Sequence, residues 1–198
     1  YATDYKSTSS TAITDINNDE YPDIIGCDNA TVSAIDKDGN YIWTKMLSPF
    51  FMTAWNSSSP VSAALVNEGQ TEIFCSPYNS ATGKYESHIL GNTSDDLFNG
   101  PFAAMNWKIK STPLVTSLNG GDKTDLIVGC DDGNLYVWSF NTPYSKSLAE
   151  WPMFQHDNRR TGNYHTGRPL TSKEPEATAY NNSRKMVFDS QGAKYHLA

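Results

Sequence analysis

The sequence lacks long hydrophobic runs, and it contains only three cysteines in 198 residues. No stretch approaches the roughly 18–20 consecutive apolar residues that a membrane-spanning helix needs. The cysteines are widely spaced, which matches neither a disulfide framework nor a C-x-x-C metal site. We therefore expect no membrane span and no structural zinc.

Clusters of basic residues are also missing. Lysine and arginine total 15 against 22 acidic residues, the net charge is −7, and the basic residues are dispersed along the chain. A protein that neutralises a phosphate backbone needs a concentrated basic surface, so nucleic acid is not an expected partner. The N-terminus carries no basic-then-apolar leader, and we expect any signal peptide to lie outside this sequence or to have been removed.

Aromatic and turn-forming residues are abundant. Aromatic residues make up 12% of the chain, with 11 tyrosines among them, and runs of helix-favouring residues are few. This composition is typical of strands joined by tight turns, in a chain long enough to bury a sizeable core. It predicts an all-β fold.

The sequence repeats itself with a period of about 50 residues. Residues 11–27 align with residues 113–129 after a shift of 102, and a degraded copy occupies residues 60–75, so neighbouring copies are 49 and 53 residues apart. Each copy reads as a strand, a polar turn and a second strand. The second strands are predicted at 23–27, 72–75 and 125–130, and one cysteine falls near the end of each. We interpret the cysteines as small buried side chains.

A tryptophan marks the predicted fourth strand of each copy, at Trp43, Trp107 and Trp151. Four strands in about 50 residues predict a four-stranded antiparallel β-propeller blade. Three blades cannot close a ring, so the sequence predicts a partial propeller over residues 1–164, with copies near 7–55, 56–110 and 111–164. A linker is predicted at 165–181, and a strand–turn–strand hairpin that opens a further β module at 182–198.

The turn of the first copy has oxygen-bearing residues at alternate positions: Asp15, Asn17, Asp19, Tyr21 and Asp23. A tight loop directs alternate residues towards one centre, and calcium takes about six to eight oxygen ligands. Tyr21 would contribute its backbone carbonyl. The alternative is a turn held by hydrogen bonds from the backbone to these side chains, without metal. The other copies have lost most of the set, so one calcium site is predicted. Their equivalent residues are Ser117, Asn119, Gly121 and Asp125, and Ala64, Val66, Glu68 and Glu72.

Residues 15–26 resemble the FG-GAP (VCBS-type) repeat of integrin-α-like and bacterial secreted β-propellers, whose calcium loops read D-x-[DN]-x-D-x-x-x-D. Residues 151–162, WPMFQHDNRRTG, resemble the segment that closes such propellers, including quinoprotein-like ones. The resemblance covers about residues 7–164. It implies a propeller fold, calcium and an extracellular location, but no single activity. The final hairpin resembles the opening of a sialidase-like propeller module.

Two further features bear on function. The aromatic insertion at 46–56 contains Phe50, Phe51 and Trp55, which could stack on sugar rings or could form a buried apolar plug. His156 and Asp157 could act as an acid–base pair, although a polar closing turn is the favoured interpretation.

Our leading hypothesis is a non-catalytic calcium-binding module of a secreted or cell-surface protein, a scaffold or a recognition surface for carbohydrate or protein, joined to other domains of a larger parent chain. The alternative is part of a secreted calcium-dependent enzyme, such as a polysaccharide lyase or a propeller-bearing protease. A quinoprotein dehydrogenase is a third and weaker reading.

Overall fold

The computed structural model describes residues 9–28, 31–47 and 58–165, together with the backbone of two strands at 186–189 and 194–197. These parts contain strands and turns and no helix, which confirms the predicted all-β class. In particular, the described residues include no apolar helix of the length that a bilayer crossing requires. The chain divides into two compact units, Tyr1–Arg168 and Pro169–Ala198.

Fourteen strands are described. In chain order they are β1 (Ala12–Thr14), β2 (Asp23–Asp28), β3 (Thr31–Ile35), β4 (Tyr41–Met46), β5 (Val61–Ala63), β6 (Glu72–Cys75), β7 (Tyr78–Asn79), β8 (Lys84–Leu90), β9 (Ala103–Met105), β10 (Leu114–Thr116), β11 (Thr124–Gly129), β12 (Leu135–Phe140), β13 (Met186–Asp189) and β14 (Lys194–Leu197). The predicted second strands of the three copies correspond to β2, β6 and β11.

The first unit holds three antiparallel sheets, and the second unit holds the β13–β14 hairpin. The first sheet has the simple order β1-β2-β3-β4, as predicted for one blade. The second sheet has five strands in the order β5-β6-β8-β7, with β9 also paired to β8, and the third has only β10-β11-β12. The prediction of four strands per copy is therefore wrong for the second and third sheets.

Both departures have identifiable structural causes. The seven-residue strand β8 is long enough to pair with β6 near one end and with β7 and β9 near the other. After β12 the chain turns at Thr142, whose hydroxyl donates to the carbonyl of Val66, and continues into Pro143. Proline lacks the N–H that a ladder needs, so no fourth strand follows there.

The tryptophans also differ from expectation. Trp43 lies in β4, the fourth strand of its sheet, as predicted. Trp107 lies outside the strands and is 59% exposed. Trp151 is buried and forms an isolated antiparallel bridge with Ser62 of β5. The segment after the third sheet thus returns to the second one, and the carbonyl of Pro152 accepts the N–H of Val115 in β10.

The first hairpin of each sheet has the same relative register. Ala12 pairs with Ile25 in β1–β2, Val61 with Phe74 in β5–β6, and Leu114 with Ile127 in β10–β11. From the first sheet to the second, the numbers of both paired residues increase by 49, and from the second sheet to the third both increase by 53. The turns between these paired strands therefore occupy equivalent places in the three sheets.

The second sheet lies between two hydrophobic clusters, which explains why all four residues of β6 are buried. Ile73 and Cys75 pack in one cluster with residues of the first sheet, whereas Phe74 packs in the other with residues of the third sheet. Successive side chains of a strand point to opposite faces, so both faces of this sheet are covered. The three sheets are thus stacked, with the second in the middle.

Candidate functional site

The turn from Asp15 to Asp23 joins β1 to β2. Asn18 and Glu20 adopt positive φ angles of 59° and 71°, in the left-handed region that non-glycine residues seldom enter. Asparagine tolerates this region comparatively well, because its short side chain can hydrogen-bond locally. The two reversals fold the nine residues back on themselves and bring their polar side chains to the inside of the turn.

Three of these side chains accept backbone N–H groups within the turn. Asp15 accepts from Asp19 and from Glu20, each at 3.0 Å, through its two carboxylate oxygens. Asn17 Oδ1 accepts from Asp19 at 2.9 Å, and Asp19 Oδ1 accepts from Tyr21 at 2.9 Å. These contacts are also the ones expected of a metal-free turn held by side-chain-to-backbone hydrogen bonds. Each oxygen has a second lone pair, so an accepted N–H does not prevent it from also binding a cation.

Asp23 is different, because it is only 1% exposed. Its Oδ2 accepts the N–H of Ile16 at 3.0 Å, but its Oδ1 is buried and has no hydrogen-bond partner. Burial, with the neighbouring charges of Asp19 and Asp15, raises the pKa of the Asp23 carboxyl to about 6, although the backbone N–H groups of Ile16 and Asn17 lower it. A buried acceptor without a partner costs about 1–3 kcal/mol, and more when it is charged. This oxygen can be satisfied by a partner that the protein does not supply: a proton, a buried water molecule or a cation.

The equivalent carboxylates of the other two sheets have no such vacant oxygen. Each of the three accepts the N–H found seven residues earlier, from Ile16, Leu65 or Leu118. Glu72 uses its other oxygen to accept from Asn67 at 2.8 Å. Asp125 uses its other oxygen to accept the hydroxyl of Ser139, on the paired strand β12.

A fourth carboxylate, Glu150, reaches the start of the first turn from the distant C-terminal part of the unit. Glu150 Oε2 accepts the Thr14 hydroxyl at 2.6 Å, the Asp15 N–H at 2.7 Å and the Tyr164 hydroxyl at 3.1 Å. Burial raises the pKa of Asp15, and the charge of Glu150 adds to the rise. Sequence reasoning missed Glu150, because 135 residues separate it from Asp15 and no local pattern marks it.

The residues of the turn fit calcium by their chemistry, although they do not form a preassembled metal cluster. In residues 9–28, 31–47 and 58–165, no three His, Cys, Asp or Glu side chains lie close enough together to hold a metal ion. The predicted set, however, also relies on the Asn17 amide and on the Tyr21 carbonyl. The unpartnered Oδ1 of Asp23 is the observation that favours a cation at this position.

The remaining predicted site residues divide into two groups. Phe50, Phe51 and Trp55 lie outside the described residues. His156 is buried with its ring edge-on to Trp151, and its Nδ1 is 3.7 Å from the Asp157 carboxylate. The Asp157 carboxylate accepts the N–H and the hydroxyl of Thr161. These contacts favour the closing-turn interpretation over the acid–base one.

Comparisons with known proteins identify no family. No protein-family model matches this chain, and neither the curated proteins nor the solved structures include a significant match.

Proposed function

We propose that this chain is a calcium-binding, non-catalytic module built from β-propeller-type blades of the FG-GAP kind, within a secreted or cell-surface protein that acts as a scaffold or recognises carbohydrate or protein. The observation that carries the proposal is the buried, unpartnered Oδ1 of Asp23. The two equivalent carboxylates, Glu72 and Asp125, act as an internal control because both are fully hydrogen-bonded.

The residues that would hold the ion are Asp15, Asn17, Asp19, the carbonyl of Tyr21, and Asp23. A bound calcium ion supplies positive charge to carboxylates that would otherwise repel one another. Asp15 and Asp19 are tied to the backbone of the turn, so the turn holds their charges near Asp23 before any ion arrives. Asp23 is buried and accepts the backbone N–H of Ile16, so its carboxylate is shielded from water.

The propeller part of the proposal is supported by the stacking of the three sheets. The first hairpins of the sheets have matching registers, and the middle sheet is packed on both faces. A propeller stacks blades face to face in this way. The segment around Trp151 contacts two sheets, through the Trp151–Ser62 bridge and the Val115 N–H to Pro152 hydrogen bond, which is consistent with a closing role.

The test is a melting experiment with and without millimolar calcium. An ion that binds only the native state at 100 times its Kd adds about 2.7 kcal/mol. For a chain of this size, that is a rise in Tm of roughly 5–10 °C. Asp23→Asn should abolish the rise. Magnesium should have less effect, because it demands a smaller and more regular site.

The matched control is Asp125→Asn, the same substitution at the equivalent position of the third sheet. It should lower the Tm in the absence of calcium, because Asn can accept only one of the two hydrogen bonds from Leu118 and Ser139. The increment on adding calcium should stay the same as in the wild type. No increment in the wild type, or an equal increment in Asp23→Asn, contradicts the calcium proposal.

A further inference from the structure

A polar cleft of about 610 Å³ lies beside the second sheet. Residues of β4, of β7, of β8 and of the turn that follows β8 line it, and no residue of the turn 15–23 is among them. The side chains that matter for its chemistry are Lys45, Asn79, Glu86, His88, Asp95 and Asp96. No local sequence pattern marks this cleft, because its residues come from separate strands.

His88 is the central residue of the cleft. It is 3% exposed, and its Nδ1 lies 2.6 Å from Oδ2 of Asp96. In a neutral imidazole this contact places the proton on Nδ1, and Nε2 then presents a lone pair. Nε2 is buried and has no hydrogen-bond partner. A buried acceptor held in one orientation and left without a donor is a vacancy that a ligand can fill.

The charges around His88 are mostly negative. Glu86 is 7% exposed, and Asp95 and Asp96 lie close by in the lining. Lys45 is the one positive side chain in the lining, and it forms no ion pair within the described residues. Three carboxylates against one ammonium leave the cleft negative while His88 is neutral.

The Glu86 carboxylate is held in position rather than freely mobile. Its Oε2 accepts the Asn79 amide at 2.7 Å, and its Oε1 accepts the Thr82 hydroxyl at 2.7 Å. Both oxygens keep further lone pairs for a ligand. The cleft therefore offers a prearranged excess of acceptors.

We infer that this cleft binds an organic cation that donates hydrogen bonds, an alkylammonium or a guanidinium group, through Nε2 of His88 and the carboxylates of Glu86 and Asp95. A neutral imidazole and carboxylates all accept N–H groups, and the negative charge favours a cation. The acceptors are not grouped as metal ligands, since the described residues contain no such cluster of three. The inference does not depend on calcium binding by the turn 15–23.

The experiment uses the full chain in EDTA and two probes of nearly the same shape. N-acetylarginine amide carries a guanidinium, whereas N-acetylcitrulline amide carries a neutral ureido group in its place. N-acetyllysine amide tests whether an alkylammonium group binds in the cleft as a guanidinium does. The readout is the nitrogen resonance of His88 Nε2 in long-range proton–nitrogen NMR spectra, which shifts when that atom accepts a hydrogen bond. A cationic probe should move it saturably, and the citrulline probe should not.

Two surface variants test the sign of the electrostatics. Asp95→Asn should weaken binding of the cationic probe about 2–5-fold, and Lys45→Gln should tighten it by a similar factor, because exposed charges contribute modestly. Lys37→Gln and Asp38→Asn are the matched controls. They make the same charge changes at the other end of the β3–β4 hairpin, where both residues are exposed, and they should leave the affinity unchanged.

Several outcomes would overturn the inference. Equal binding of the citrulline probe would show a general polar cleft. An unmoved His88 resonance, or a shift produced by calcium or zinc alone, would show that an organic cation is not the ligand. A requirement for calcium would show that the cleft is not independent of the turn. Lack of response to calcium in the melting experiment would refute the calcium proposal and leave this one intact.

Discussion

The turns of the first and third sheets share a backbone framework and differ in how the final carboxylate is satisfied. In both turns, the side chain of the first residue accepts a hydrogen bond from the backbone N–H of the residue four positions further along the chain. The two bonds are Asp19 N–H to Asp15 and Gly121 N–H to Ser117. The final carboxylate of each turn also accepts the N–H seven residues earlier.

The difference lies beyond the turn, in the neighbouring strand. In the third sheet β12 continues to Phe140 and brings Ser139 opposite Asp125. In the first sheet β3 ends at Ile35, which pairs with Ile24, so it supplies no paired residue to Asp23. The Ser139 hydroxyl therefore hydrogen-bonds the second oxygen of Asp125, whereas Oδ1 of Asp23 is buried without a hydrogen-bond partner. The comparison teaches that, in similar turns, one neighbouring donor decides whether both oxygens of the final carboxylate are hydrogen-bonded.

The largest effect on stability is expected at the second turn, where the final carboxylate accepts the most hydrogen bonds. Glu72→Ala removes the acceptor of three backbone N–H groups, from Leu65, Val66 and Asn67. Leaving these donors unpaired should cost about 3–5 kcal/mol of unfolding free energy. Chemical denaturation measures the loss, which calcium should not restore. Glu68→Ala, an exposed change in the same turn, should cost less than about 0.5 kcal/mol.

An intermediate effect is expected from pH in the absence of calcium. The folded pKa of Asp23, about 6, lies above its ordinary value of 3.8, so the native state binds the proton more tightly. Stability contributed by this proton is present at low pH and is lost as the pH rises through about 6. An asparagine at position 23 cannot ionise, so Asp23→Asn does not lose this stability as the pH rises. Above pH 6 the free energy of unfolding of the variant should exceed that of the calcium-free wild type by about 1–3 kcal/mol.

Asp125 should show the opposite slope. The Leu118 N–H and the Ser139 hydroxyl lower the pKa of its carboxyl. Its contribution is therefore present above the ordinary pKa and is lost as the pH falls through the lowered one. Denaturation of wild type, Asp23→Asn and Asp125→Asn across pH 3–8 measures both slopes. Parallel pH profiles for the two variants would remove the distinction between the turns.

The smallest effect is expected from transplanting the first turn onto the third. Ser117→Asp with Gly121→Asp restores the D-x-N-x-D pattern around Asn119 and Asp125. The double variant should bind a second calcium ion at least about tenfold more weakly than the first site. The reasons are that Gly121 has a φ of 108°, where a side chain is strained, and that Asp125 keeps its hydrogen bond from Ser139. Calorimetric titration measures the second site, and the single variant Ser117→Asp serves as the control.

Local features of the fold were predictable from the sequence, and long-range ones were not. The strands β2, β6 and β11 follow from β-branched residues next to polar turns, and both signals lie within about 15 residues. The double pairing of β8 and the bridge between Trp151 and Ser62 depend on residues far apart in the chain. No local pattern encodes such a partner.

The candidate site shows the same limit. The spacing of Asp15, Asn17, Asp19 and Asp23 made the turn a candidate, because a tight loop directs alternate residues towards one centre. The sequence could not show which carboxylate is left unsatisfied, since that depends on where β3 ends and on Ser139 in another sheet. Glu150 and His88 were missed because only their contacts in the folded structure, with Asp15 and Asp96, mark them as site residues.

The most direct test of the account is the number of calcium ions bound per chain, measured by isothermal titration calorimetry after removal of metal. We predict one ion for the wild type and for Asp125→Asn, and none for Asp23→Asn. No calcium bound by the wild type, or one ion still bound by Asp23→Asn with unchanged affinity, would contradict the assignment of the vacant Asp23 oxygen to calcium.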